Sequence, residues 1–252
     1  MFSNYGKIST ELYDFTKPVG TSINGDIEYY MERLKSVNGK VLEAGVGTGR
    51  FIIPLLEEGF TVDGVDYSNE MLQICKENCK ERKLKPNLYE ANLESLQLPS
   101  KYEAIVMPTG SFCLIDGRKD GMTVLNNLKD HLEMGGRLII DLLLPYDFKE
   151  GEIETDVFTL PNDEGIILER RSDKIDWINQ TTTTYLKYEK WKLGKLIDTE
   201  LQKFPLTWYG MEEFRSILKS LGFINITCSS NYVFERYPVA SNEIITFEAE
   251  KG

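Results

Sequence analysis

The residues best suited to binding a charged ligand lie in a glycine-rich segment near the end of the first fifth of the chain. Residues 41–50 read VLEAGVGTGR, so a short apolar run leads directly into three glycines at alternate positions. Glycines let the backbone turn sharply and approach a ligand closely. A helix that begins after such a loop presents unpaired backbone N–H groups and the positive end of its dipole. The pattern therefore predicts a nucleotide-like cofactor at the carboxyl end of a first strand.

The glycine spacing and a nearby acid indicate which kind of cofactor the loop suits. The fingerprint of NAD sites is G-x-G-x-x-G. Here the third glycine, Gly49, comes one residue early, and Arg50 stands in the expected place. Glu43 lies two residues before Gly45. A carboxylate there would repel a pyrophosphate and attract a cationic amine or sulfonium, so the loop favours a cationic cofactor over a dinucleotide.

The motif Glu43-x-Gly45-x-Gly47-x-Gly49 resembles motif I of the class I S-adenosylmethionine (SAM)-dependent methyltransferases. Segments further along resemble later motifs of that family in the family's order. They are GVDYSNEML (64–72), ANL (91–93), AIVMPTGSF (104–112), LEMGGRL (132–138) and SLGF (220–223). The resemblance covers residues 35–145 well and 208–250 loosely. The order and spacing of the motifs together make it specific.

The resemblance implies roles for individual residues. Glu43 and the glycine loop would hold the methionine part of SAM, and Asp66 would accept hydrogen bonds from both ribose hydroxyls. Asn92, near the adenine, stands where many members carry Asp. No metal is expected. The full set of expected cofactor contacts is Glu43, Ala44, Gly45, Gly47, Gly49, Asp66, Tyr67, Met71, Asn92, Leu93, Pro108, Thr109 and Ser111.

The sequence shows no clear acid–base pair. A sulfonium methyl is already electrophilic, so the protein mainly has to place the acceptor in line with it. A base is needed only if the acceptor arrives protonated, and the catalytic residue is open, with Tyr209 and Tyr13 as candidates. The single histidine, His131, is predicted to cap a helix end. Cys75 and Cys79 lack a third cysteine at radical-SAM spacing and are predicted to pack.

Alternating apolar runs and helical patterns predict the elements that position these residues. The first 150 residues alternate strands with helices, which indicates right-handed βαβ units and a parallel sheet. The strands are predicted at 40–44, 60–65, 88–91, 104–107 and 137–144, and the helices at 51–58, 68–82 and 122–132.

After residue 150 the pattern changes. Residues 152–206 read as successive strands separated by turn signals, which predicts an antiparallel meander. A helix at 211–221 and two strands at 223–228 and 243–249 follow. We therefore predict an α/β fold: a Rossmann-like, mostly parallel seven-stranded sheet with helices on both faces. Residues 1–150 and 207–252 would form a SAM-binding methyltransferase core, and 151–206 an inserted antiparallel lid over the substrate.

The net charge and the apolar runs of the chain limit which partners and locations are expected. The 252 residues carry a net charge of −11, which disfavours nucleic acid. The longest apolar run, residues 138–144, is far too short to span a bilayer, so no membrane association is expected. The first fifteen residues lack the apolar core of a signal peptide, and four cysteines do not make a disulfide framework. A cytoplasmic location fits best.

The sequence thus predicts an enzyme, a SAM-dependent methyltransferase that moves the sulfonium methyl to an N, O or S atom of a small molecule and releases S-adenosylhomocysteine. The acidic chain and the aromatic meander favour a cationic or neutral acceptor. Alternatives are a non-catalytic SAM-binding or interaction protein, and a nicotinamide oxidoreductase, which the glycine spacing disfavours. An aminopropyl transferase would carry a Gly-Gly-Gly-Asp-Gly loop that is absent here. The acceptor, the catalytic base and the oligomeric state stay open.

Overall fold

The computed structural model describes residues 5–252 and contains two sheets. The strands of the large sheet are β1 (Lys40–Ala44), β2 (Thr61–Asp66), β3 (Leu88–Glu90), β4 (Tyr102–Met107), β5 (Leu132–Leu142), β10 (Phe223–Ser230) and β11 (Ile245–Lys251). The second sheet contains β6 (Ile153–Leu160), β7 (Glu164–Asp176), β8 (Thr181–Lys192) and β9 (Lys195–Thr207). The helices are α1 (Lys7–Thr16), α2 (Asp26–Leu34), α3 (Ile52–Glu57), α4 (Asn69–Glu81), α5 (Arg118–His131) and α6 (Met211–Ser220).

The large sheet has the strand order β10-β11-β5-β4-β1-β2-β3. Its pairings are parallel except for those of β11, which runs antiparallel to both β5 and β10. Glu43 pairs with Gly64 and Ala44 with Val65, so β1 and β2 end at the same edge. This confirms the predicted fold class and places the ends of β1, β2 and β4 together, where open α/β sheets bind ligands.

Helices cover both faces of the large sheet because its central strands are apolar on both sides. On β1, Val41 packs toward α2, α3 and α4, whereas its neighbour Leu42 packs toward α5 and α6. Both side chains are fully buried, and burying each contributes about 1.5–3 kcal/mol. The near-continuous apolar runs in the sequence are the signature of strands buried in this way.

The second sheet is an antiparallel meander, as predicted for residues 152–206. Helix α1 packs on one of its faces through Ile8 and Leu12. The carboxylate of Glu200 on β9 accepts hydrogen bonds from the backbone N–H groups of Gly6 (3.0 Å) and Ile8 (2.9 Å) and from the Ser9 hydroxyl (2.5 Å). Because an acid at a helix N-terminus satisfies unpaired N–H groups, α1 is fixed to the meander.

Three features differ from the sequence predictions. Helices α1 and α2 were not predicted. Helix α5 begins at Arg118 instead of residue 122, and β5 begins at Leu132 instead of residue 137. The early start of β5 reflects a register shift between β4 and β5. Leu132 pairs with Tyr102 and Arg137 with Ala104, so the four residues 133–136 form a bulge on β5. No helix in the described range 5–252 is both long and apolar enough to cross a membrane.

Candidate functional site

The glycine loop after β1 adopts a conformation that only glycines accept easily. Gly45, Gly47 and Gly49 have φ angles of 83°, 54° and 93°, which are disfavoured for residues with a Cβ. A Cβ on Gly49 would lie 2.9 Å from Ile53 Cδ1 and 3.0 Å from Cys75 Sγ. The predicted alternate glycines are therefore explained by backbone shape and by close packing against the helices beneath the loop.

Asp66 joins this loop to the end of β2. Its Oδ2 accepts a hydrogen bond from Gly47 N at 2.8 Å, and its Oδ1 accepts one from Ser68 N at 2.9 Å. Burial raises the pKa of the Asp66 carboxyl, and these backbone N–H groups oppose the rise. A carboxylate has about four lone-pair positions, so Asp66 keeps the capacity to accept bonds from two further hydroxyls.

Glu43 lies at the loop as a buried acceptor with spare capacity. Its side chain is 2% exposed, and its Oε2 has no hydrogen-bond partner among residues 5–252. Burial raises the pKa of this carboxyl well above its ordinary value, while Arg50 and the nearby backbone N–H of Ile52 act in the opposite direction. An unpaired buried acceptor costs about 1–3 kcal/mol, so the geometry fits a ligand that brings a donor or a cation.

Arg50 forms a buried cluster beside Glu43 that sequence reasoning missed. Its Nη2 lies 2.7 Å from Asp26 Oδ2, and its Nη1 donates to Thr21 O at 2.7 Å. The guanidinium also opposes the rise that burial causes in the pKa of Tyr13 on α1, and its Nε has no partner within the described chain. The only available signal was an arginine directly after the third glycine.

A cleft of about 550 Å³ opens at the ends of β2 and β3. Of the predicted contacts, Tyr67 and Asn92 line it. Asn92 also accepts a bond from Glu94 N at 2.8 Å and so caps a short 3₁₀ helix. Leu93, predicted at the same site, is half-buried and packs against the core, and its backbone O accepts from Asn127 on α5 at 2.9 Å. The lining residues are Tyr67, Ser68, Asn69, Glu70, Glu90, Ala91 and Asn92.

The segment after β4 forms a tight turn against the glycine loop. Thr109 and Gly110 both have left-handed backbone angles, with φ of 55° and 78°. The Cβ of Ser111 lies 3.4 Å from where a Cβ on Gly45 would be. The structure therefore brings the predicted residues of this turn to the glycine loop. Three predicted contacts, Ala44, Met71 and Pro108, are buried.

The two candidate bases occupy different environments. Tyr209 is 1% exposed and packs between Phe112, with its ring tilted by 36°, and Phe214, in an edge-to-face contact. Burial raises the pKa of Tyr209 to about 12, and its hydroxyl has no partner in the described part of the chain. Tyr13 lies over the loop, with its ring 3.9 Å from the Cβ position of Gly47. Of the two, Tyr13 lies at the glycine loop.

Histidine and cysteine side chains have structural contacts. His131 Nδ1 lies 2.7 Å from Asn127 O, one turn earlier, and its Nε2 accepts from Leu98 N at 3.0 Å, which confirms the predicted cap. Cys75 and Cys79 are buried on one face of α4, as predicted. Burial raises the pKa of Cys113 to about 12, so this residue stays a thiol.

Comparisons with known proteins agree with the fold and the motifs. Residues 41–136 match the family described as methyltransferase domain. YqeM of Bacillus subtilis strain 168, named as a candidate methyltransferase, is 24% identical over 218 residues, or 85% of each chain. The glycine/sarcosine N-methyltransferase of Aphanothece halophytica is 31% identical over 130 residues, which cover 48% of this chain and 49% of the relative. Several relatives are thus matched over only about half of their length.

Two solved structures are similar over nearly the whole chain. A SAM-dependent methyltransferase from Clostridium acetobutylicum has a TM-score of 0.75 at 18% identity, covering 96% of this chain and 97% of the other. The sugar N-methyltransferase KedS8 from Streptoalloteichus has a TM-score of 0.72 at 21% identity, covering 100% and 97%. At these identities the likeness shows the fold. Residues 41–136 therefore match a methyltransferase domain family, and the chain has the Rossmann-like fold of the class I SAM-dependent methyltransferases.

Proposed function

We propose that this protein is an enzyme that transfers the methyl group of SAM to an N, O or S atom of a small molecule. The observation that carries the proposal is the unpaired, buried Oε2 of Glu43 beside the glycine loop. A dinucleotide would bring a pyrophosphate to this loop, next to a carboxylate. The methionine part of SAM would bring an ammonium and a sulfonium, which this acceptor favours.

Different residues at the carboxyl edge of the large sheet bind different parts of SAM. Glu43 and the glycine loop hold the methionine part, Asp66 accepts from the ribose hydroxyls, and the cleft lined by Tyr67 and Asn92 receives the adenine. The turn that contains Thr109 borders the reacting end. Bound SAM supplies an electrophilic methyl group. What the chain must add is orientation and exclusion of water, and orientation alone can lower the barrier by roughly 7–11 kcal/mol.

Helix α1 and the second sheet are suited to cover this site. Tyr13 on α1 lies over the glycine loop, while Glu200 and Lys190 fix the same helix to the sheet. Lys190 Nζ lies 2.7 Å from Glu11 Oε1. Residues 151–206 are thus proposed as a lid that, together with α1, excludes water from the reacting atoms.

The class of acceptor is supported by similarity and charge. KedS8 is named a sugar N-methyltransferase, and CalS10, with a TM-score of 0.68, is named an amino pentose methyltransferase. The net charge of −11 favours cationic or neutral acceptors over polyanions. Amino sugars therefore come first in an acceptor screen, followed by other amines, phenols and thiols.

Thermal unfolding with added ligands tests the proposed cofactor. SAM and S-adenosylhomocysteine, each at about a hundred times its Kd, should stabilise the protein by about 2.7 kcal/mol and raise Tm by about 5–10 °C. NADH and NADPH should leave Tm unchanged. A rise with the nicotinamides alone would overturn the proposal. Methyl transfer to no member of the acceptor screen, with SAM still bound, would favour a non-catalytic SAM-binding protein.

The affinity for SAM should increase as the pH rises from the ordinary carboxyl range towards neutrality. Burial raises the pKa of Glu43 in the free protein, so at low pH a proton must leave before the carboxylate can pair with a cation. The amino group of SAM stays charged in this range. Calorimetry at several pH values, in buffers of different ionisation enthalpy, should show proton release on binding by the wild-type protein. Glu43→Gln should bind more weakly with a flatter pH profile, and an equal slope in both proteins would contradict the assignment.

A further inference from the structure

The strongest feature outside the assigned contacts is a buried carboxylate on β5. Asp141 is 0% exposed and accepts four hydrogen bonds. Its Oδ1 accepts from the hydroxyls of Thr246 (2.7 Å) and Tyr30 (2.9 Å), and its Oδ2 from Thr109 N (2.6 Å) and the Tyr232 hydroxyl (2.8 Å). These donors come from β11, α2, the turn after β4 and the segment after β10. One side chain thus joins four separate parts of the fold.

Of the four hydrogen bonds to Asp141, the one from the backbone N–H of Thr109 connects it to the candidate site. Thr109 has a φ of 55° and a ψ of 28°, a left-handed conformation that is uncommon for a β-branched residue. Gly110, also left-handed, leaves no room for a side chain, because a Cβ there would lie 2.5 Å from Leu143 Cδ1. The turn therefore needs a contact that holds it, and the hydrogen bond from Thr109 N to Asp141 provides one.

We propose that Asp141 is a positioning residue that, as a carboxylate, holds the 108–111 turn against the glycine loop in the shape that SAM requires. The proposal rests on the proposed function. Asp141 itself is enclosed by its four donors and acts through Thr109.

The requirement for a carboxylate follows from the donors. A tyrosine or threonine hydroxyl can rotate and accept a proton from a carboxylic acid, but the N–H of Thr109 can only donate. A proton on Oδ2 would therefore place two donors against each other at the turn, and a proton on Oδ1 would remove the negative charge that strengthens the bond from Thr109 N. Burial raises the pKa of Asp141 to about 6, although its four hydrogen bonds act to lower it. Protonation of the carboxylate therefore falls in an accessible pH range.

Among residues 5–252, none of the titratable side chains that face Asp141 directly accounts for a transition near pH 6. Burial raises the pKa values of Tyr30, Tyr232 and Cys113, so all three stay neutral there. Beyond Tyr232 lie Asp26 and Arg50, which form an ion pair with each other. Glu43, at the glycine loop that this turn contacts, is a second carboxyl whose pKa burial raises, so the assignment depends on the variants of Asp141 and its donors.

The first measurement follows the Thr109 amide by NMR in the protein without ligand. Its proton shift should titrate with a midpoint near pH 6. Thr246→Val, which removes one donor from Oδ1, should move the midpoint up by about half to one pH unit, and Thr246→Ser should restore it. Asp141→Asn should abolish the transition and speed exchange of the Thr109 amide at least tenfold. No titration of Thr109, or one that persists in Asp141→Asn, would overturn the proposal.

The second measurement is SAM affinity by calorimetry at pH 7.5. Asp141→Asn should weaken binding at least tenfold. The matched control is Tyr102→Phe, which removes another buried bond between a tyrosine and a carboxylate, from Tyr102 to Asp63 (3.1 Å), at the opposite end of β4. It should leave the affinity within threefold. Wild-type affinity in a folded Asp141→Asn protein would refute the positioning role, whereas failure of the wild-type protein to bind SAM would refute the proposed function itself.

Discussion

Replacing Asp66 with alanine is expected to weaken SAM binding by about 140- to 700-fold. The proposed ribose contacts are two hydrogen bonds to a carboxylate, each contributing roughly 1.5–2 kcal/mol, and the fold change follows from about 1.4 kcal/mol per factor of ten. The same substitution removes the acceptor for Gly47 N and Ser68 N, which adds to the loss by loosening the glycine loop. Calorimetry on the folded variant measures the effect.

A second acid on the same strand gives a matched control. Asp63 is also a buried carboxylate on β2, where it accepts from the side chains of Asn87 (2.9 Å) and Tyr102 (3.1 Å). Asp63→Ala should reduce stability but leave the SAM affinity of the folded protein within about threefold. Asp66→Asn should fall between wild type and alanine, since it keeps one acceptor and loses the charge. If folded Asp66→Ala binds SAM as the wild type does, the ribose assignment is wrong.

The large sheet could be predicted from sequence because each of its signals is local. Residues 40–44 are an apolar run bounded by a turn, and β1 has these bounds in the structure. In the helix predicted at 68–82, Ser68 is the N-cap, and its hydroxyl accepts from Met71 N at 3.2 Å. The helix predicted at 211–221 is followed by Gly222, which has a left-handed φ of 80°. In each case the physical cause lies within a few residues of the pattern.

Contacts between distant segments could not be predicted in this way. Glu200 binds the start of α1 across more than 190 residues, and no spacing pattern indicates such a pairing. The relation of Asp141 to Thr109 is of the same kind. Leu93 shows a second limit of sequence reasoning. A leucine that packs against the core and a leucine at an adenine site look alike in sequence. The strands and turns that carry the motifs were therefore predictable from local patterns, while the contacts that join distant segments were not.

The ion pair between Arg50 and Asp26 is such a hidden contact, and Asp26→Asn is expected to lower the free energy of unfolding by about 3–5 kcal/mol. The two side chains are 3% and 0% exposed. Asparagine can still accept from Ile23 N and Ile27 N, as Asp26 Oδ1 does at 2.7 and 2.8 Å. Asparagine cannot neutralise the buried guanidinium of Arg50. A buried charge without a partner strongly destabilises the folded state. Equilibrium urea unfolding measures the change.

An exposed ion pair serves as the control. It separates the cost of leaving a buried charge without a partner from the cost of losing an ion pair. Lys149 and Glu152 lie 3.1 Å apart with side chains 72% and 37% exposed, and Glu152→Gln should cost less than about 1 kcal/mol. Adding Arg50→Met to Asp26→Asn should recover part of the lost stability, because the double variant leaves no charge unpaired. A loss below about 1 kcal/mol in Asp26→Asn alone would mean that another group neutralises Arg50. Glu43 is the nearest candidate, since Arg50 already lowers its pKa, and in that case Glu43→Gln would become strongly destabilising only in the Asp26→Asn background.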